Sequence, residues 1–440
     1  MVVCPLTRWL ALALFLMLLQ LLPSVVSAQL RVDPDTPESE ADVATPRQRV
    51  VNDDVDGASD EAPIELPSLS ADEGAEAAEQ EEEGPFNLPP AEVRAKLPMF
   101  VTAFAKATIT LQNPYDRTKL DKWVPDTVLG ILMAGQITKN FGVTAAIFGL
   151  ATPRVPSGTN LGTGQFLDFL AIARFEPSDY FNIWVGHVPV PSDRAALSTP
   201  FFMAPWKFPG EITPGAFPVA PKTATFAGLS ANNGPTLWGQ LGKGAFKYML
   251  GAYLQDPEGT PIFSGRVTLN LLNPEPGYLH ASGYYGTKGD ILAIGASGQS
   301  QRLGSVGVNA ANTTVRADFS GANVDLLFEK TLGDAGVLDF EAAVYTYRGE
   351  HERFDYSGFA VLAYLLPFRV GFGRPQLMVR YQGIHQKDLT GLRAQLFQVL
   401  DAQLNYIVKG DFVKAALGYT RWTNDSAPGA AVFLGLQVQK

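Results

Sequence analysis

Apolar residues return at every second position, in one short segment after another, from Phe100 to the end of the chain. Residues 100–111 set the pattern. Val101, Ala103, Ala105, Ala107, Ile109 and Leu111 alternate with Thr102, Lys106, Thr108 and Thr110, and Phe104 breaks the parity. Successive side chains of a strand point to opposite faces, so each such segment reads as a strand with one apolar and one polar face. The alternation recurs in 167–175, 323–329, 338–344, 400–406 and 413–420. No long apolar run interrupts it. A chain that crosses a bilayer on strands must close them into a ring, because every backbone group needs a partner there.

The first residues read as an export signal. Arg8 precedes an apolar run from Trp9 to Leu22, and Val26-Ser27-Ala28 fits a small-residue cleavage site. Residues 1–28 are thus expected to be removed. The only cysteine, Cys4, leaves with them. The mature chain then holds neither a disulfide nor a thiolate metal site, and a closed ladder of strands supplies its stability instead.

The net charge of −10 hides a split. Residues 29–92 carry 19 acidic and 3 basic side chains, whereas 93–440 carry 25 acidic and 30 basic ones. The segment 29–95 is rich in Glu, Ala, Ser and Pro and has one aromatic residue, Phe86. Such a composition buries too little apolar surface to offset its ordering entropy, so it reads as a disordered periplasmic segment. It serves as a tether or cation-attracting tail, or simply as a solvated spacer.

Residues 96–440 then form the barrel. Short turns are expected at 139–142, 176–179, 242–244, 273–277 and 333–336, and longer polar loops at 113–126, 153–164 and 348–355. Short turns on one rim and long loops on the other are the layout of an all-β transmembrane antiparallel barrel. The candidate strands number 16 to 18, with about 16 expected because both termini lie on the periplasmic side; residues 301–320 are the hardest to parse. Of Trp123, Tyr180, Trp184, Tyr253, Tyr284, Tyr347, Tyr381 and Trp422, about half are expected to form interfacial girdles and the rest to pack in loops.

Residues 189–233 break the rhythm with eight prolines and with Phe201, Phe202, Trp206, Phe208 and Phe217. Proline removes ladder donors, so this is a loop, and loops of this length tend to be functional. Either it folds inward and constricts a pore, or it caps the outer rim or joins protomers. Inward folding would bring Arg194, Lys207 and Lys222 to a passing solute. Parity adds Lys106, Arg174, Arg266, Arg380 and Lys414 to the lumen, opposite Asp168, Asp325, Glu329, Asp339, Glu341 and Asp401.

The run Phe181-Asn182-Ile183-Trp184-Val185-Gly186-His187-Val188-Pro189-Val190-Pro191 resembles the "vG-x-x-x-x-P" strand-plus-loop signature of the phosphate-selective porin O and P family. Phe263-Ser264-Gly265-Arg266-Val267, residues 289–296, residues 322–326 and the closing hairpin 401–419 are similar to it in the same order. The resemblance implies a trimeric 16-stranded porin with inward loops and a basic pore. Two features depart from it: the chain ends in Gln-Val-Gln-Lys rather than an aromatic residue, and the lumen is mixed in charge. Phosphate specificity is therefore not carried over.

These features point to an outer-membrane porin for small hydrophilic solutes with weak anion preference. Its partners would be outer-membrane lipid, the barrel-assembly machinery and, as a trimer, two further copies. The alternative is a non-conducting barrel acting as anchor or adhesin. His187, His280, His351 and His385 sit in no catalytic motif, and no metal cluster, phosphate-binding loop or basic-aromatic run is evident. No enzyme, cofactor or nucleic-acid partner is expected.

Overall fold

The computed structural model describes residues 99–112, 118–151, 166–198, 201–208, 231–254, 260–308, 313–352, 354–387, 395–423 and 428–439. The leader, the acidic segment and Lys222 lie outside the described residues.

Sixteen strands run in chain order. They are β1 (Met99–Leu111), β2 (Trp123–Thr138), β3 (Phe141–Ala151), β4 (Phe166–Ser178), β5 (Phe181–Pro189), β6 (Ala231–Leu241), β7 (Phe246–Tyr253) and β8 (Ile262–Asn270). Then follow β9 (Ile291–Val308), β10 (Thr314–Thr331), β11 (Val337–Arg348), β12 (Phe354–Leu365), β13 (Arg374–Gln386), β14 (Gln395–Lys409), β15 (Val413–Thr423) and β16 (Gly429–Gln439). Each pairs antiparallel with the next, and β1 pairs with β16, Thr108 opposite Gly435, to close the ring. Residues 301–320 resolve into the end of β9 and the start of β10, with a register shift between Ala317 and Phe319.

The alternation is inverted relative to a water-soluble barrel. On β13, Leu377, Val379 and Tyr381 are about half exposed outside, while Gln376, Arg380 and Gln382 are buried inside. The exterior carries Val101, Ile109, Leu129, Phe169, Leu250, Val344, Leu400 and Leu434 in the same way. An apolar band of this extent around the whole ring suits lipid and not water.

Aromatic placement splits. Trp123, Tyr180 and Tyr381 are exposed on the outside, but Tyr253, Tyr347 and Trp422 are buried inside. Trp184 turns toward interior Trp238 and Tyr278.

The rim that carries the start of β1 and the end of β16 has short turns between β2 and β3, β4 and β5, β6 and β7, β10 and β11, and β14 and β15. The connection from β12 to β13, residues 366–373, is longer, and that from β8 to β9 is longer still. Residues 273–277 read locally as a tight turn, but the next strand begins only at Ile291. The whole of 271–290 is a non-strand segment, and its middle enters the barrel.

Candidate functional site

The site is the barrel interior, and two segments from opposite rims enter it. The first leaves β5 where the chain passes Gly186, whose φ is +134°. A side chain there would lie 2.0 Å from the Ala171 carbonyl oxygen, so only glycine suits this approach of β5 to β4. Beyond Pro189 the chain bends inward. Val190, residues 192–198 and 201–206 are all buried, including a single helical turn, α1 (Arg194–Leu197).

The wall holds this segment by its backbone. Gln437 donates to the Phe201 carbonyl at 2.8 Å, Lys414 to Met203 at 2.5 Å, Asn405 to Ala204 at 3.2 Å and Arg380 to Lys207 at 2.6 Å. Lys106 donates to the Trp206 carbonyl and sits over its indole, 4.7 Å from the centroid. The indole N–H donates to Thr108 Oγ1 at 2.9 Å, and the Trp206 amide donates to Gln403 at 3.0 Å. A methyl group at Gly435 would lie 2.2 Å from the indole, so that glycine makes the seat. Phe104, the parity exception, stacks inside on Phe201 at 4.7 Å and on Phe148 at 5.7 Å.

The second segment, between β8 and β9, rises from the other rim. Glu275, Tyr278, His280 and Ser282 are buried on it. Its base is seated on Glu329, whose carboxylate accepts the amides of Tyr284, Tyr285 and Gly286 at 2.6, 3.0 and 2.8 Å. Tyr285 and Gly286 have φ of +55° and +83°, which turns successive N–H groups onto one carboxylate. Tyr285 also donates to Asp411 at 2.7 Å.

The segments meet at mid-barrel. Both terminal nitrogens of Arg194 donate to the Glu275 carboxylate, and one also reaches the Ala281 carbonyl at 3.1 Å. The His280 amide donates to Leu197 O at 3.2 Å and the Ser282 amide to Phe202 O at 2.9 Å. Tyr278 donates to Pro189 O at 2.7 Å and packs on Trp184 at 4.6 Å. Burial alone would raise the Glu275 carboxyl, but the Arg194 guanidinium beside it overrides this and holds it below the ordinary range. The stabilisation of this pair is therefore present above the ordinary carboxylate range and is lost as pH falls through the lowered folded value. Burial, then the cations Lys247, Arg266 and Arg194, push the His280 imidazole well below its usual pKa, so it is neutral.

A second ion pair crosses β9. Arg266 on β8 donates to both oxygens of Asp325 on β10, at 2.5 and 2.8 Å, and to Ser192 O at 3.0 Å. The Arg194 amide reaches the same carboxylate at 3.2 Å. Arg174 pairs with Glu176 at 3.0 Å near the turn of β4 and β5. The side chain of Lys207 lies 5.9 Å from the Phe433 ring centroid.

Of the basic residues that parity and the long loop single out, Lys106, Arg266, Arg380 and Lys414 grip backbone carbonyls of the β5–β6 segment. Arg194 joins that segment to the β8–β9 segment. Sequence reasoning missed Glu275, Tyr278, His280 and the seating role of Glu329. The signal available was the absence of period-2 alternation over 271–290.

No protein-family model matches the chain, and no curated protein matches it by sequence. Among solved structures, the high-pH form of OprB from Pseudomonas putida superposes with a TM-score of 0.57 at 10% identity, over 79% of this chain and 96% of that one. OmpF of Salmonella typhi in complex with daunomycin aligns at TM-score 0.49 and 10% identity, over 78% of this chain and 97% of that one. The loop L8 deletion mutant of Vibrio cholerae OmpT aligns at TM-score 0.49 and 8% identity, over 78% and 99%. With the closed ring of sixteen antiparallel strands, the OprB likeness shows that this chain has the fold of an outer-membrane porin.

Proposed function

We propose that the chain is an outer-membrane porin through which small hydrophilic solutes diffuse passively, with weak preference for anions. One observation carries the reading: the ring is closed, apolar outside, and lined inside by charged and amide side chains from most of its strands. A dry structural barrel would not spend a polar interior of this extent. The anion preference rests on the basic excess of residues 93–440, and the neutralised interior pairs keep it weak. The export signal expected from the sequence and the short turns support a periplasmic side for that rim, and trimerisation is part of the same proposal. A second reading, a non-conducting anchor or adhesin, draws on the meeting of two inward segments at mid-barrel.

Single-channel recording in a planar bilayer separates the two. The porin reading expects stable current steps and, under a salt gradient, a reversal potential displaced toward the anion potential. A reversal potential on the cation side would overturn the anion preference. Silence from protein shown to be folded and inserted would leave the anchor reading.

A further inference from the structure

The two inward segments are held in different ways. The β5–β6 segment is fastened to the wall by side chains from β1, β13, β14, β15 and β16. The β8–β9 segment is fastened firmly at its base, where Glu329 takes three amides and Asp290 takes Lys330 and the Thr331 amide. Its inner tip, residues 275–282, rests mainly on the other segment, through Arg194, Leu197 O, Phe202 O and Pro189 O. The wall itself adds Lys247, which donates to Gly277 O at 3.0 Å, and the rings of Trp184 and Trp238, against which Tyr278 packs at 4.6 and 5.7 Å.

The tip also carries a cost. His280 is buried, and among the described residues neither of its ring nitrogens has a hydrogen-bond partner. A buried polar group left without a partner loses the free energy that water would return to it. The seated tip is thus held by one ion pair and several neutral hydrogen bonds, and opposed by one unsatisfied group. An element held in this way has a second arrangement within reach once its ion pair is lost.

We propose that the β8–β9 segment is a gate that opens from the rim bearing the chain termini, hinged at the Glu329 seat, with Arg194–Glu275 as its latch. The gate rests on the porin reading. When the latch parts, residues 275–282 swing toward that rim, His280 regains water, and the β5–β6 segment stays on the wall as the fixed half of the passage.

The test is a double-mutant cycle on the mature chain in planar bilayers, with Glu275→Gln, Arg194→Gln and the pair together. Each single change is expected to raise the ratio of open to closed time about tenfold, because a charge-assisted bidentate contact is lost. The double variant is expected to match the singles, since the latch is broken once. A second readout does not depend on current. On the mature chain, from which Cys4 is absent, Ser282→Cys should react with a membrane-impermeant maleimide about tenfold faster when Glu275→Gln is added. Normal current steps in all forms, with gating unchanged and Ser282→Cys equally protected, would overturn the gate and leave the porin intact. Silence from every folded form would remove the porin reading, and the gate with it.

Discussion

Arg266→Ala is expected to cost about 3–5 kcal/mol of barrel stability, seen as a lower urea midpoint for the protein folded into lipid vesicles. Asp325 is fully buried, and Arg266 supplies both of its charge-assisted bonds. What remains is the Arg194 amide and Asn323 Nδ2, both at 3.2 Å, and the Arg194 Nε at 4.0 Å. That guanidinium is already bound through both terminal nitrogens to Glu275, so the buried carboxylate loses its own bidentate partner. The room for this pair comes from Gly295 on the intervening β9, where a methyl group would lie 2.2 Å from the guanidinium and 2.5 Å from the carboxylate. Arg266→Met combined with Asp325→Leu should recover most of the loss, because an apolar pair of similar volume removes the stranded charge. A double variant as unstable as the single would mean that Arg266 acts through Ser192 O instead.

Trp206→Ala should detach the β5–β6 segment without breaking the ring. Truncating a buried tryptophan typically costs about 3–5 kcal/mol. Here the loss falls on docking, since the indole touches β1 and β16 but forms no part of their ladder. The Lys106 cation loses its ring, and the Gly435 seat empties. The barrel should keep its gel mobility while unit conductance rises about twofold, as the fixed half of the passage leaves the wall. An unchanged conductance would show that residues 201–208 do not bound the path of the ions.

The strands were legible because lipid outside and polar groups inside impose a strict period of two. Even the inward aromatic residues obey it. Tyr347 shares the parity of Asp339 and Glu341, and Trp422 that of Lys414 and Thr420. Expecting such residues either at girdles or in loops followed their type and ignored the strand they belong to. The β8–β9 segment was not legible for a different reason. Asn273-Pro274-Glu275-Pro276-Gly277 is a local turn signal, and it says nothing about where the next strand resumes. Nor does sequence tell an interior cation that meets solute from one that holds a carbonyl. Lys106, Arg380 and Lys414 are placed by parity, but the carbonyl that each holds lies 100 or more residues away.

The Trp206 seat lies across the seam where the first and last strands join. Its contacts come from Lys106 and Thr108 on one side and Gly435 and Phe433 on the other. The neighbouring Phe201 carbonyl is held by Gln437, 236 positions along the chain. The middle of the polypeptide thus bridges the first and last strands of the ring. Docking of the inward segment and closure of the seam therefore stabilise each other, through contacts that span 100 to 236 positions of the chain.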